Sequence, residues 1–332
     1  MPKKLILVYL ALLLANGIWS VAGSIIKLTL NYIPPFTFLF LRFLIVCVAL
    51  LPFALLETKK FKIDRRDYLN LFLLGIFSQS FIIFSFWSLK YTTVLDTAII
   101  SITAPIFSVA AGHYFYKERV DPRIKLGILI VVLGTIFIVL EPILENGIGL
   151  QNHLTRIWGN ILALLYNFTF LVYTIWSKMS MGEKSPTLKK TLSFIHIKPM
   201  KRTYSPLLIV IISFYVGLAT MAPFAILENT HTFGFENSAN FNITTIPTVA
   251  IIGLLYMALF SSIVAYLLYQ WGIEYISVSD TAILGYLGPV LAFPFAYLIL
   301  GEVPTKLMLI GLSVIATGVL VAESNNNLRK HI

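Results

Sequence analysis

Long apolar runs separated by short polar segments recur along the whole chain. A helix that crosses hydrocarbon needs roughly 20 mostly apolar residues. Ten runs meet or approach that length: Leu5–Ile26, Pro35–Leu56, Tyr68–Leu89, Thr97–Tyr116, Ile124–Leu140, Ile157–Ser177, Pro206–Ile226, Thr248–Gly272, Ser279–Leu300 and Leu307–Ala322. They do not alternate in polarity, and strands of a membrane barrel would be about half as long. Proline marks several starts: Pro34-Pro35 opens the second run, Asp121-Pro122 precedes the fifth and Pro304 precedes the tenth. The pattern predicts an all-α membrane protein with ten transmembrane helices.

One stretch occurs twice. Trp87 to Phe137, moved forward by 184 positions without a gap, falls on Trp271 to Val321. Trp87 meets Trp271, Asp96-Thr97-Ala98-Ile99 meets Asp280-Thr281-Ala282-Ile283, Pro105 meets Pro289, and Glu118 meets Glu302. Apolar matches arise by chance in so apolar a chain, but Trp, Asp, Pro and Glu at one fixed offset do not, so the chain is internally duplicated. Five runs separate each member from its partner, so corresponding helices run in opposite directions. Two inverted five-helix repeats, with a substrate site between them near the midplane, are a signature of secondary transporters.

Composition and charge refine this picture. Hydrophobic residues make up 58% of the 332 residues and charged residues only 12%, against about 25% in a soluble domain. A net charge of +10 does not mark a nucleic-acid surface, because the Lys and Arg lie in short segments between apolar runs. With the N-terminus inside, cytoplasmic segments hold 20 of them and outer segments 4, the asymmetry expected for a multi-pass protein of the plasma or inner membrane with both termini cytoplasmic. The basic, aperiodic stretch Met179–Tyr204 reads as a mobile cytoplasmic linker. Cys47 can form no intrachain disulfide, and the first apolar run reads as a span rather than a cleaved leader.

Trp19-Ser20 followed by Lys27, Leu41-Arg42-Phe43, Tyr91 through Pro105 to Lys117-Glu118, and Tyr275 through Pro289 to Gly301-Glu302 resemble the drug/metabolite transporter superfamily in its ten-helix form with two EamA-type repeats. The resemblance covers nearly the whole chain. It implies a first repeat over residues 1–141, a second over 157–322 containing the basic linker 179–204, and a cytoplasmic tail over 323–332. It also implies export or exchange of small metabolites, often amino acids. Lys117 stands where Gly is usual in the family, and the linker is longer than is typical.

Several residues invite a functional reading beside a structural one. Glu118 and Glu302 end the fourth and ninth spans, at the unfavourable pole of a helix dipole. Each either fixes its turn by local pairing or latches a gate. Pro105 and Pro289 either kink their helices for packing or break them and expose backbone polar groups to a site. Arg42 is the clear intramembrane charge; such residues are functional candidates, although this one could also snorkel toward the outer surface or pair with a carbonyl. Asp96 and Asp280 read as N-caps, and Gly127, Gly134, Gly311 and Gly318 as close helix packing or a dimer seam.

The expected cavity is lined by Asn16, Trp19, Ser20, Gln79, Tyr166, Asn167, Tyr266 and Tyr286. An amide in hydrocarbon is costly unless it faces the bundle or water, and the set draws on both halves. Such a lining suits neutral or zwitterionic solutes with an apolar part. No phosphate-binding loop, catalytic constellation or metal-ligand cluster is present in the sequence, so neither an ATP-driven pump nor an enzyme is expected, and no cofactor or metal. The predicted activity is secondary transport of a small-molecule substrate by a monomer or homodimer in the lipid bilayer, with no nucleic-acid partner. A lipid-linked-sugar flippase or multidrug exporter of the same superfamily, or a non-transporting scaffold, remain as alternatives.

Overall fold

The computed structural model describes residues 3–60, 62–116, 122–144, 150–194, 196–230, 232, 241–276 and 286–323. Among the described residues the regular structure is helical. In chain order the helices are α1 Lys3–Thr29, α2 Pro35–Lys60, α3 Tyr68–Tyr91, α4 Val94–Ser101, α5 Ala104–Tyr116, α6 Pro122–Leu144, α7 Leu150–Ser180, α8 Pro186–Phe194, α9 Pro206–Asn229, α10 Thr248–Leu255, α11 Ala265–Tyr275, α12 Leu287–Leu300 and α13 Lys306–Glu323. A π-helical stretch, Tyr256–Val264, joins α10 to α11. Eight helical segments are long and apolar enough to cross a membrane, and Leu287–Leu300 and Lys306–Ala322 are shorter apolar helices.

Polarity runs inside out, as lipid requires. Val48, Leu56, Leu133, Ile226, Leu298 and Leu320 face outward, whereas Arg42, Asp96, Glu141, Asn160, Asn167 and Gln270 are buried. This is a multi-pass membrane protein. Helix ends are satisfied by identifiable partners. Pro35 and Pro206 sit in first turns, where the missing N–H costs nothing. Ser205 caps α9 by accepting from Leu208 N at 3.2 Å. Gly301 ends α12 in the left-handed region at φ 67°, which a residue without Cβ adopts freely.

Two expected spans are interrupted. The run Thr97–Tyr116 divides into α4 and α5, with a turn at Ile102-Thr103 just before Pro105. Pro105 lacks the N–H that would bond the Ser101 carbonyl, so the α-helical ladder cannot continue. The run Thr248–Gly272 widens to π geometry in its middle; such stretches recur at functional sites.

Packing settles the glycine question. A Cβ at Gly127 would lie 2.5 Å from Gly318 O, and one at Gly318 would lie 2.8 Å from Val131 N. The glycines therefore bring α6 and α13 into backbone contact within one chain. The linker also differs from expectation. It carries α8, and Asp67, fully buried, accepts from Lys201 N at 2.8 Å, Arg202 N at 3.1 Å and Tyr204 Oη at 2.7 Å. Asn70 Nδ2 donates to Lys198 O at 2.8 Å. Polar composition suggested mobility, but the segment is fastened to the α2–α3 connection.

Candidate functional site

A cavity of about 220 Å³ lies between α1, α2, α3, α4, α5, α7, the π-helical stretch, α11 and α12. Asn16, Trp19, Ser20, Tyr166, Asn167 and Tyr266 line it, as do Arg42, Pro105 and Pro289. Of the eight expected lining residues, the structure thus brings six together.

Gln79 is not among them. It is 2% exposed, and its Nε2 donates to Ser213 O at 2.7 Å in the contact between α3 and α9, where Gly217 leaves room for the amide. Depth in the membrane did place it inside the bundle, but the helix face decides between cavity and seam. Tyr286, the residue before α12, is not in the cavity wall. Glu118 and Asp280 lie outside the described residues.

The cavity wall is an aromatic box. The Trp19 ring centroid lies 5.5 Å from Tyr266 and 5.3 Å from Tyr269, and Phe81 stands 5.0 Å from Phe170 and 6.2 Å from Tyr266. Polar handles hold the box in register. Trp19 Nε1 donates to Ser261 O at 3.0 Å in the π-helical stretch. Tyr269 and Thr174 hydroxyls meet at 2.9 Å. Asn167 Nδ2 donates to Ile100 O at 3.3 Å, beside the α4–α5 break. A carbonyl at the α4–α5 break and one in the π turn thus each accept from a side chain of the cavity wall, whereas Pro289 lies within α12.

Arg42 turns inward. Its side chain is buried, and its Nε donates to Ser262 Oγ at 2.6 Å. Ser262 in turn donates to Met257 O, five residues back, at 2.7 Å, a contact set by π geometry. The guanidinium lies 5.8 Å from the Phe86 ring centroid. Snorkelling to the surface is excluded by this placement.

Glu302 lies just behind the cavity wall, at the start of α4. Its carboxylate accepts from Val94 N at 3.2 Å and Leu95 N at 3.1 Å, the free amides at the start of α4, and pairs with Lys27 Nζ at 3.1 Å. Lys27 also donates to Thr92 O at 2.6 Å. Val94 is itself part of the cavity wall. Among the described residues the Glu302 carboxylate thus joins α1 and α4 from the far side of the sequence. Asp96 is not the N-cap of α4. Thr93 is, accepting from Asp96 N at 2.9 Å. Asp96 instead binds Arg156 Nη2 at 2.8 Å, and Arg156 also reaches Glu141 at 3.2 Å. This buried ion cluster escaped the sequence reading because Glu141 and Arg156 belong to different helix ends and follow no repeat.

The duplication extends beyond the gapless stretch. Lys178 Nζ donates to Ile273 O and Ile276 O, each at 2.9 Å. Thr92 and Ile276 differ by the same 184 positions as the repeat, and Lys27 and Lys178 differ by 151, as do Asn16 and Asn167. Pro35, Pro52 and Glu57 likewise recur 171 positions on as Pro206, Pro223 and Glu228. A fixed offset reveals only the gapless part of a duplication; unequal loops shift the remainder out of register.

Comparison with known proteins agrees with this architecture. The chain is 25% identical over 321 residues to an uncharacterized transporter of Archaeoglobus fulgidus, covering 96% of this chain and 98% of that protein. It is 25% identical to the uncharacterized transporter YdfC of Bacillus subtilis, covering 96% and 92%. A solved crystal structure shares the fold with a TM-score of 0.57 at 17% identity, covering 95% of this chain and 96% of that one. The EamA-like transporter family matches twice, over residues 6–140 and 190–323, and the chain is a member of that family.

Proposed function

We propose that this transporter is a secondary carrier that exports or exchanges a small organic solute by alternating access. Residues 1–141 and 157–322 are its two inverted halves, and both termini face the cytoplasm of a cell membrane. The observation that carries the reading is a cavity lined by both halves, beside which Glu302, from the second half, holds Lys27 and the start of α4, from the first. A site between repeats, bordered by contacts between the halves that rocking would break, is what alternating access needs.

Inversion is supported by the two lysines. Lys4, at the start of α1, lies 4.0 Å over the ring of Tyr275, and Lys178, at the end of α7, reaches Ile273 and Ile276 in the same neighbourhood. Lys27 is 23 residues further along α1, about 35 Å away at 1.5 Å per residue. Each half thus places a lysine on the carbonyl end of its third span, at opposite ends of the bundle. The test is solute efflux from loaded proteoliposomes across a panel of amino acids, organic anions and aromatic cations. Saturable efflux of at least one solute without ATP is expected. Absence of efflux for the whole panel, with correctly inserted protein, would sink the carrier reading in favour of a scaffold.

A further inference from the structure

Among the described residues lining the cavity, Arg42 is the one with a formal charge. It is 3% exposed, and no carboxylate among the described residues lies within ion-pairing distance of it. A guanidinium stays protonated in proteins, and burying a charge without a partner is costly. It donates one hydrogen bond, from Nε to Ser262, lies near the rings of Phe43 and Phe86, and interacts electrostatically with Tyr266. Ser262 uses its own proton on Met257 O, so it serves Arg42 as a fixed acceptor. That bond holds the guanidinium plane, and the four N–H bonds on the two terminal nitrogens have no protein acceptor among the described residues.

The charge is also one-sided. At the 171-residue offset that relates α2 to α9, Arg42 corresponds to Ser213, so the second half supplies no matching cation. The cavity has a cationic point on α2 and an aromatic box formed by Trp19, Phe81 and Tyr266. At about 220 Å³ it is smaller than the roughly 300–1,000 Å³ of drug-sized sites.

We infer that Arg42 is the anchor for a carboxylate, and that the carried solute is a small organic acid whose carboxylate pairs with Arg42 while its apolar or aromatic body lies against Trp19, Phe81 and Tyr266. The inference rests on the cavity being the transport site. The paired geometry of a carboxylate matches the guanidinium fork, which a point cation matches less well. A neutral amide keeps the shape and loses the charge, and a cation is repelled.

The test uses the full-length protein, purified and binding radiolabelled phenylacetate, phenylacetamide or phenethylamine. The expected order is phenylacetate, then phenylacetamide, then phenethylamine. In Arg42→Gln, phenylacetate affinity falls about tenfold to a hundredfold, to that of the amide, the loss of one charged hydrogen-bonding partner; Arg42→Lys retains part of the preference. Because the ranking is read first on the unaltered protein, misfolding of a variant leaves the inference exposed to failure. Equal binding of all three overturns the anchor while leaving the cavity as a transport site. Binding of none overturns this ligand class, and the efflux panel then decides separately whether the chain is a carrier.

Discussion

Lys27 and Glu302 lie 3.1 Å apart, although 275 positions separate them in the chain, and Glu302 uses both carboxylate oxygens on the amides of Val94 and Leu95. The pair is partly exposed, so its ionic part contributes only about 0–1 kcal/mol. Accepting two otherwise free helix amides contributes on a par with an N-cap, about 0.5–2 kcal/mol. Acceptance rather than charge is therefore the larger effect. A charge swap, Lys27→Glu with Glu302→Lys, is expected not to restore the contact, because lysine accepts no hydrogen bond. Glu302→Gln is expected to be milder than Glu302→Ala. The check is the rate at which a cysteine at Thr97, in a Cys47→Ser background, reacts with an impermeant thiol reagent. Full rescue by the swap would show that charge alone holds this contact.

Gln79 and Asn167 separate structure from transport. Gln79→Ala removes a buried bond to Ser213 O in the α3–α9 seam. It should lower stability by about 1–3 kcal/mol with unchanged solute preference. Asn167→Ala, in the cavity wall, should change efflux rates at least severalfold. Melting of the purified variants and efflux from proteoliposomes check this; altered solute preference in Gln79→Ala would contradict the placement.

The α6–α13 contact has no room for a side chain. Gly318→Val should destabilise by about 1–3 kcal/mol or more, because its Cβ would meet Val131 N at 2.8 Å. Gly17→Ala on α1, where a Cβ meets nothing within 4 Å, should be tolerated. Thermal melting of the two variants side by side is the measurement, and equal melting temperatures would refute the contact.

The linker clasp has a defined pH response. The Lys201 ammonium and the Arg66 N–H hold the Asp64 carboxyl below its ordinary value, about 3.9. The clasp's contribution is thus present above that value and lost as pH falls through the lowered one. Burial pushes Tyr204 up to about 12, so its donation to Asp67 persists into alkaline solution. Trypsin cleavage at Lys198–Arg202 should stay slow and constant from about pH 5 to pH 9, and should rise severalfold in Asp67→Asn. Equal cleavage of parent and variant would mean the segment is not held there.

Sequence alone determined the solvent, the helical class and the duplication. Runs such as Leu5–Ile26 leave no alternative in lipid, where every backbone amide must be satisfied within its own segment. Repeated Trp, Asp, Pro and Glu reported common ancestry of two halves. These are local or periodic properties, written in consecutive residues. Tertiary structure decided which face of each helix meets the cavity. It sent Gln79 to a seam against Gly217, turned Arg42 into the cavity against Ser262, and assigned Glu302 to amides of another helix. A residue's depth follows from its position in a run, whereas its partners follow from helix rotation and neighbouring side-chain volume, to which α2, α9 and the π-helical turn each contribute from distant parts of the chain.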